Sequence, residues 1–133
     1  MVDVWKATTG TPLLTYEGHD DLISDIAWSP DSTSLATSSY DSTVRVWTAS
    51  TGKWLYTYTG HTDVVYSLAW SPDGTTIASS SADGTIQIWN AFLGQRVMTL
   101  VDQQNINGIA WFPRGPLIAT AGEDGLVKVW VIA

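Results

Sequence analysis

The chain has 133 residues, 44% of them hydrophobic and only 14% charged, with a net charge of −7 and no cysteine. That length suits a single domain with an ample core, the composition excludes a disordered chain, and the missing cysteines exclude disulfides and thiolate metal sites. Its six basic residues, Lys6, Arg45, Lys53, Arg96, Arg114 and Lys128, are scattered singly, which argues against binding a phosphate backbone.

In chain order, Met1 to Trp5 reads as a β-run, with no basic segment and apolar core of a signal peptide. A turn at Ala7 to Gly10 and a strand at Leu13 to Tyr16 follow. A first full unit runs from Gly18 to about Tyr58, with strands expected near Ile23–Trp28, Ser34–Ser39, Thr43–Trp47 and Trp54–Tyr58. A second occupies Gly60 to about Leu100. Its first strand, Val64–Trp70, is almost continuously apolar, as expected of a strand buried on both faces. Turns at Ser71-Pro72-Asp73-Gly74 and Ala82-Asp83-Gly84 separate it from the small-residue strand Thr76–Ser81 and the alternating strand Thr85–Trp89, and Arg96–Leu100 comes last. A third unit continues through Ile106–Trp111, a turn at Pro113-Arg114-Gly115, Leu117–Ala121 and Leu126–Val131. No helical periodicity appears, and no stretch approaches the roughly 20 apolar residues that span a bilayer. A soluble, acidic, cytoplasmic protein with no membrane or nucleic-acid partner is expected.

The units are copies of one another. Trp5, Trp47, Trp89 and Trp130 are spaced by 42, 42 and 41 residues, and Trp28, Trp70 and Trp111 keep the same step, as do Asp41, Asp83 and Asp124. Gly18-His19 recurs as Gly60-His61, and Gly10, Gly52 and Gly94 mark a common turn. The pattern resembles the WD-repeat family of β-propellers and covers essentially the whole chain. One departure is that the terminal tryptophans are followed by Lys6, Thr48, Asn90 and Val131, never by Asp. The resemblance implies an all-β fold of four-stranded antiparallel propeller blades, three per chain. They divide as partial strands 1–17 and repeats 18–59, 60–101 and 102–133.

Each of the first two repeats carries a His, a Ser, an Asp and a Trp at matching places: His19, Ser39, Asp41 and Trp47, then His61, Ser81, Asp83 and Trp89. Ser, His and Asp together invite a nucleophilic-hydrolase reading. The resemblance implies instead a buried hydrogen-bond chain in which Asp meets His, His meets Ser and Ser meets the indole. A repeating set with no recognisable nucleophile turn or oxyanion hole fits structure better than catalysis. In the third repeat Asp102 or Gln103 falls at the histidine place and Gly122 at the serine place. The network there is expected to be absent or rebuilt with water. Two histidines in equivalent places of different blades do not converge as metal ligands, and Asp20-Asp21 reads as a solvated loop end, so no metal or cofactor is expected.

By the resemblance, partners dock where the innermost strand begins and the second strand ends. Position by position, that face would present Leu22, Ser24 and Tyr40, then Val64, Tyr66 and Ala82, then Asn105, Asn107 and Glu123. It suits a peptide or protein segment, or else lines a solvated channel. Two functions follow: a non-catalytic protein-interaction scaffold, or a self-assembling structural propeller fragment, excised or engineered, with no ligand of its own. Three blades do not close a ring that needs at least four. Closure with other chains is therefore expected: a dimer of six blades, a trimer of nine, or a companion chain supplying four more. Pairing of Leu13–Tyr16 with Leu126–Val131 of another copy would complete the last blade and leave Val2–Trp5 redundant.

Overall fold

The computed structural model describes residues 1–132. These form thirteen strands and no helix. β1 (Val2–Lys6) and β2 (Thr11–Tyr16) make a two-stranded hairpin. β3 (Ile23–Trp28), β4 (Ser34–Ser39), β5 (Val44–Thr48) and β6 (Trp54–Tyr58) make the first four-stranded sheet. β7 (Val65–Trp70), β8 (Thr76–Ser81), β9 (Thr85–Asn90) and β10 (Arg96–Val101) make the second. β11 (Ile106–Trp111), β12 (Leu117–Gly122) and β13 (Val127–Val131) make a three-stranded third. Every pairing is antiparallel between sequence neighbours, and the strand ends differ from the sequence reading by a residue or two. These are stacked propeller blades, and among the described residues the stack does not close into a ring.

The turn chemistry sets each sheet. At the tip between β7 and β8, the Asp73 carboxylate accepts from Ser71 Oγ at 2.6 Å and from the Thr75 amide and hydroxyl. Ser71 Oγ in turn accepts the Thr76 amide, and Gly74 takes the left-handed φ of 75° that closes the turn. Asp31 repeats the arrangement between β3 and β4, but Ser32 sits there at φ 63°.

Blades pack face to face through apolar side chains. Between sheets one and two lie Val44, Val46, Val65, Leu68, Ile77 and Trp89, and between sheets two and three Ile86, Ile88, Ile106 and Ile118. A third cluster of Val2, Tyr16, Leu35 and Trp47 holds the hairpin on sheet one. Polar bonds align the innermost strands. Asp25 Oδ2 accepts from Ser67 Oγ at 2.7 Å and from the Leu68 amide, and Trp70 Nε1 donates to the Ala27 carbonyl. The most buried strand of the second blade is β8, not β7 as its apolarity suggested. β7 lies at the inner edge, where Tyr66 and Trp70 are only half-buried, whereas β8 is enclosed between two strands and two neighbouring sheets.

Candidate functional site

Two sites emerge from this scaffold, one inside each blade and one on a rim. In the second blade, His61 Nδ1 bonds Asp83 Oδ2 at 2.8 Å and Nε2 bonds Ser79 Oγ at 2.8 Å, while Trp89 Nε1 donates to the same hydroxyl at 3.3 Å. The first blade repeats it: His19 to Asp41 at 2.8 Å, His19 to Thr37 Oγ1 at 2.7 Å, and Trp47 Nε1 to Thr37 at 3.0 Å. The hydroxyl that links imidazole and indole is therefore Thr37 or Ser79, not Ser39 or Ser81. The reason is depth. Both positions of each strand face the same way, but the indole of the neighbouring strand reaches only the inner one. Ser39 and Ser81 lie one step nearer the turn, where they accept the Asp41 and Asp83 amides at 3.1 and 3.0 Å.

The geometry assigns proton positions in the second blade. Burial pushes the His61 imidazole below its ordinary value, outweighing the hydrogen bond and charge of Asp83. A neutral ring donates from Nδ1 to Asp83 and accepts at Nε2 from Ser79, which accepts from Trp89. Burial alone would raise the Asp83 carboxyl, but hydrogen bonds from Thr85, His61 and the Thr62 amide hold it below its usual value. At Asp41 the same balance, with Thr43 and His19 donating, brings it to about 2. Ser79 is fully buried, and its hydroxyl is shared between the His61 imidazole and the Trp89 indole.

In the third blade, which has no histidine, two separate groups stand where the network runs in the others. Trp130 Nε1 donates to Thr120 Oγ1 at 2.9 Å, and Lys128 bridges Asp102 and Asp124, 3.0 Å from the latter. Those bonds hold the Asp124 carboxyl below and the Lys128 ammonium above their ordinary values.

On the rim, Tyr40 and Tyr66 meet edge to face at 6.0 Å between centroids, and Asn105 Nδ2 donates to Glu123 Oε2 at 2.9 Å. Burial raises the Tyr66 phenol, with Tyr40, Glu123 and Asp63 acting in the same direction. Leu22 and Asn107 are exposed, and Val64 and Ala82 half-buried. Ser24 turns away from this rim: its hydroxyl bonds Ser38 and the Val65 carbonyl, locking blade to blade. Sequence reasoning missed Lys128, which stands at the place of Arg45 and Gln87 and bonds Asp124 four positions away and Asp102 26 positions away. Among the described residues no group of three or more His, Cys, Asp or Glu is placed to hold a metal, and no helix could cross a membrane.

Comparisons with known proteins agree with this architecture. Rat (Rattus norvegicus) coronin-7 is 43% identical over 44 residues, 33% of this chain and 5% of that protein, and mouse (Mus musculus) coronin-7 is 46% identical over the same length. A chain in the crystal structure of the mitotic checkpoint complex superposes with a TM-score of 0.87 at 26% identity, over 94% of this chain and 40% of that one. The chain thus spans well under half the length of these relatives. The family model for the WD domain, G-beta repeat matches residues 10–48, 52–90 and 94–131, and with three such repeats folded as blades the chain belongs to the WD-repeat family.

Proposed function

We propose that this chain is a non-catalytic protein-interaction scaffold whose blades form part of a closed propeller ring, completed by other copies of the chain. The observation that supports the scaffold reading is a pair of rim contacts drawn from three blades, Tyr40 against Tyr66 and Asn105 bonded to Glu123. Two aromatic rings beside one carboxylate fit a peptide or protein segment with an apolar side chain next to a basic one. WD-repeat propellers generally serve as such scaffolds, and the similar checkpoint chain comes from a complex, which supports the reading. Peptides selected from a random library on the wild-type protein should lose binding to Tyr66→Ala while its unfolding midpoint stays unchanged. Selected peptides that bind the variant equally well overturn this use of the rim.

A purely structural, self-assembling propeller module without a ligand is the second reading. The outer face of β13 favours it, because Val127 and Val129 are 74% and 66% exposed where their counterparts Ile86 and Ile88 are buried. Light scattering addresses the ring in either reading. A multiple of 14.4 kDa supports it, six or nine blades according to the multiple, and a well-folded monomer at every concentration refutes it.

A further inference from the structure

The turn that Gly10, Gly52 and Gly94 close has one backbone form in all three copies, with φ of 67°, 71° and 66°. Its surface differs. Before the glycine stand Thr8-Thr9 in the hairpin and Ser50-Thr51 in the first blade, but Phe92-Leu93 in the second. Phe92 and Leu93 are 70% and 68% exposed, at places that the other copies fill with Ser and Thr. Packing therefore does not account for them. Asn90 Oδ1 accepts the amides of both at 2.9 Å, which fixes the turn that presents them.

Phe92 walls a groove of about 520 Å³ between the first and second blades, with Leu55, Tyr56 and Trp70 in its apolar lining and Asp31 and Asp73 as its charges. Among the described residues that line it, none is basic. The turns carrying Asp31 and Asp73 follow β3 and β7, whereas Tyr40 follows β4 and Tyr66 begins β7. The groove thus opens at the end of the blades opposite the tyrosine rim.

The two carboxylates stand on touching turns, since a Cβ built on Gly74 would lie 3.7 Å from Pro30. In each, Oδ1 is taken by its own turn, Ser29 and Thr33 donating to Asp31, and Ser71 and Thr75 to Asp73. Those bonds hold both carboxyls below their ordinary values, so both stay charged. Among the described residues no donor reaches either Oδ2. The neighbouring grooves differ. Arg114 stands at the place of Asp73 in the third blade and lines the next groove along, beside Asp73. The groove between hairpin and first blade has Ser50 at the place of Phe92 and no carboxylate.

We propose that the groove between the first and second blades docks a segment of a partner protein in which a Lys or Arg lies beside a large apolar side chain. The apolar group packs against Trp70 and Phe92, and the cation meets Asp31 and Asp73. Charge selects this occupant. A second copy carries the same net charge of −7, and a nucleic acid or anionic membrane is repelled as well. The groove lies within one chain, so the site depends neither on the ring nor on the tyrosine rim.

A random peptide library displayed on phage and selected on the wild-type protein tests this with two variants. Phe92→Ser installs the residue that the first blade carries, and Asp31→Asn with Asp73→Asn removes charge while an amide oxygen still accepts the turn bonds. Selected peptides should carry adjacent basic and large apolar residues, lose about tenfold or more in affinity on either change, and bind Tyr66→Ala unchanged. Peptides lost by Tyr66→Ala alone overturn the groove and leave the rim. An empty selection, or peptides indifferent to all three changes, overturns both. Peptides lost on Phe92→Ser but indifferent to the paired Asn changes refute the basic side chain. A lower mass of ligand-free protein on Phe92→Ser, by light scattering, assigns the patch to a second copy and overturns the partner segment.

Discussion

Three consecutive serines on β8, Ser79, Ser80 and Ser81, are all fully buried, yet they differ in what they hold, and replacing each by Ala separates their roles. Ser79 is bonded by His61 and Trp89. Ser79→Ala strands the indole N–H and the imidazole Nε2 with no solvent in reach. At about 1–3 kcal/mol for each orphaned group, partly relieved by relaxation, the loss is about 2–5 kcal/mol. Ser81 accepts the Asp83 amide and donates to the Asp63 carbonyl, but Asp63 is at the surface, where water replaces the hydroxyl, so Ser81→Ala costs about 1–2 kcal/mol. Ser80 makes only a 3.5 Å contact with the Ser67 carbonyl, and Ser80→Ala stays within about 1 kcal/mol. Against a domain stability of about 5–15 kcal/mol, the first change is a large fraction. Urea unfolding with a common m-value reads the series as midpoints. If Ser79→Ala unfolds at the same urea concentration as Ser80→Ala, the link between histidine and tryptophan contributes nothing and the reasoning fails.

Stability should fall on acidification in two limbs. His61 is depressed below 6.5, so its contribution is complete above that value and is lost as the pH falls through its folded value. The Asp41 contribution is complete above 3.8 and is lost as the pH falls through about 2. Urea midpoints between pH 8 and about 2 should show both, and His61→Gln should flatten the upper limb; a midpoint that rises between pH 7 and 5 contradicts the assignment of a neutral imidazole. Gly60→Ala should destabilise by about 1–3 kcal/mol, since its methyl would come within 2.4 Å of the Tyr58 hydroxyl, and that ring is pinned by its stack on Trp89. Thermal melts check it; an unchanged melting temperature would refute the clash, since Gly60 carries no left-handed φ to add a backbone penalty.

The blades were legible because their signals are local and repeated. The turns Ser71 to Gly74 and Ala82 to Gly84 bracket β8 in the sequence as they do in the fold. The histidine network was half legible. His61, Asp83 and Trp89 stand at fixed spacings, but the hydroxyl row of β8 presents equivalent serines on one face, and only the reach of the Trp89 indole selects Ser79 over Ser81. Asp102 was legible as one of two residues at the histidine place, whereas Lys128 was not, because its pairing with Asp102 exists only once β13 lies beside it. Tyr16 stands at the sequence place of Tyr58, yet its side chain makes with Ala49 and Gly52 the contacts that Tyr56 makes with Ala91 and Gly94, which no periodicity records.

The deep burial of β4 and β8 bears on the chain before it folds. From Leu35 to Ser39 and from Ile77 to Ser81 every residue is buried, yet eight of the ten are Ala, Ser or Thr. Such segments lack the dense β-branched and aromatic side chains that build dry fibrillar zippers. A nascent or heat-unfolded chain therefore exposes, in its future core, strands with little adhesion for one another. The sticky segments lie elsewhere, in β9 and β13, with Gln87 and Lys128 set between their apolar residues as gatekeepers. The strands most protected in the folded protein are the least hazardous in the unfolded one.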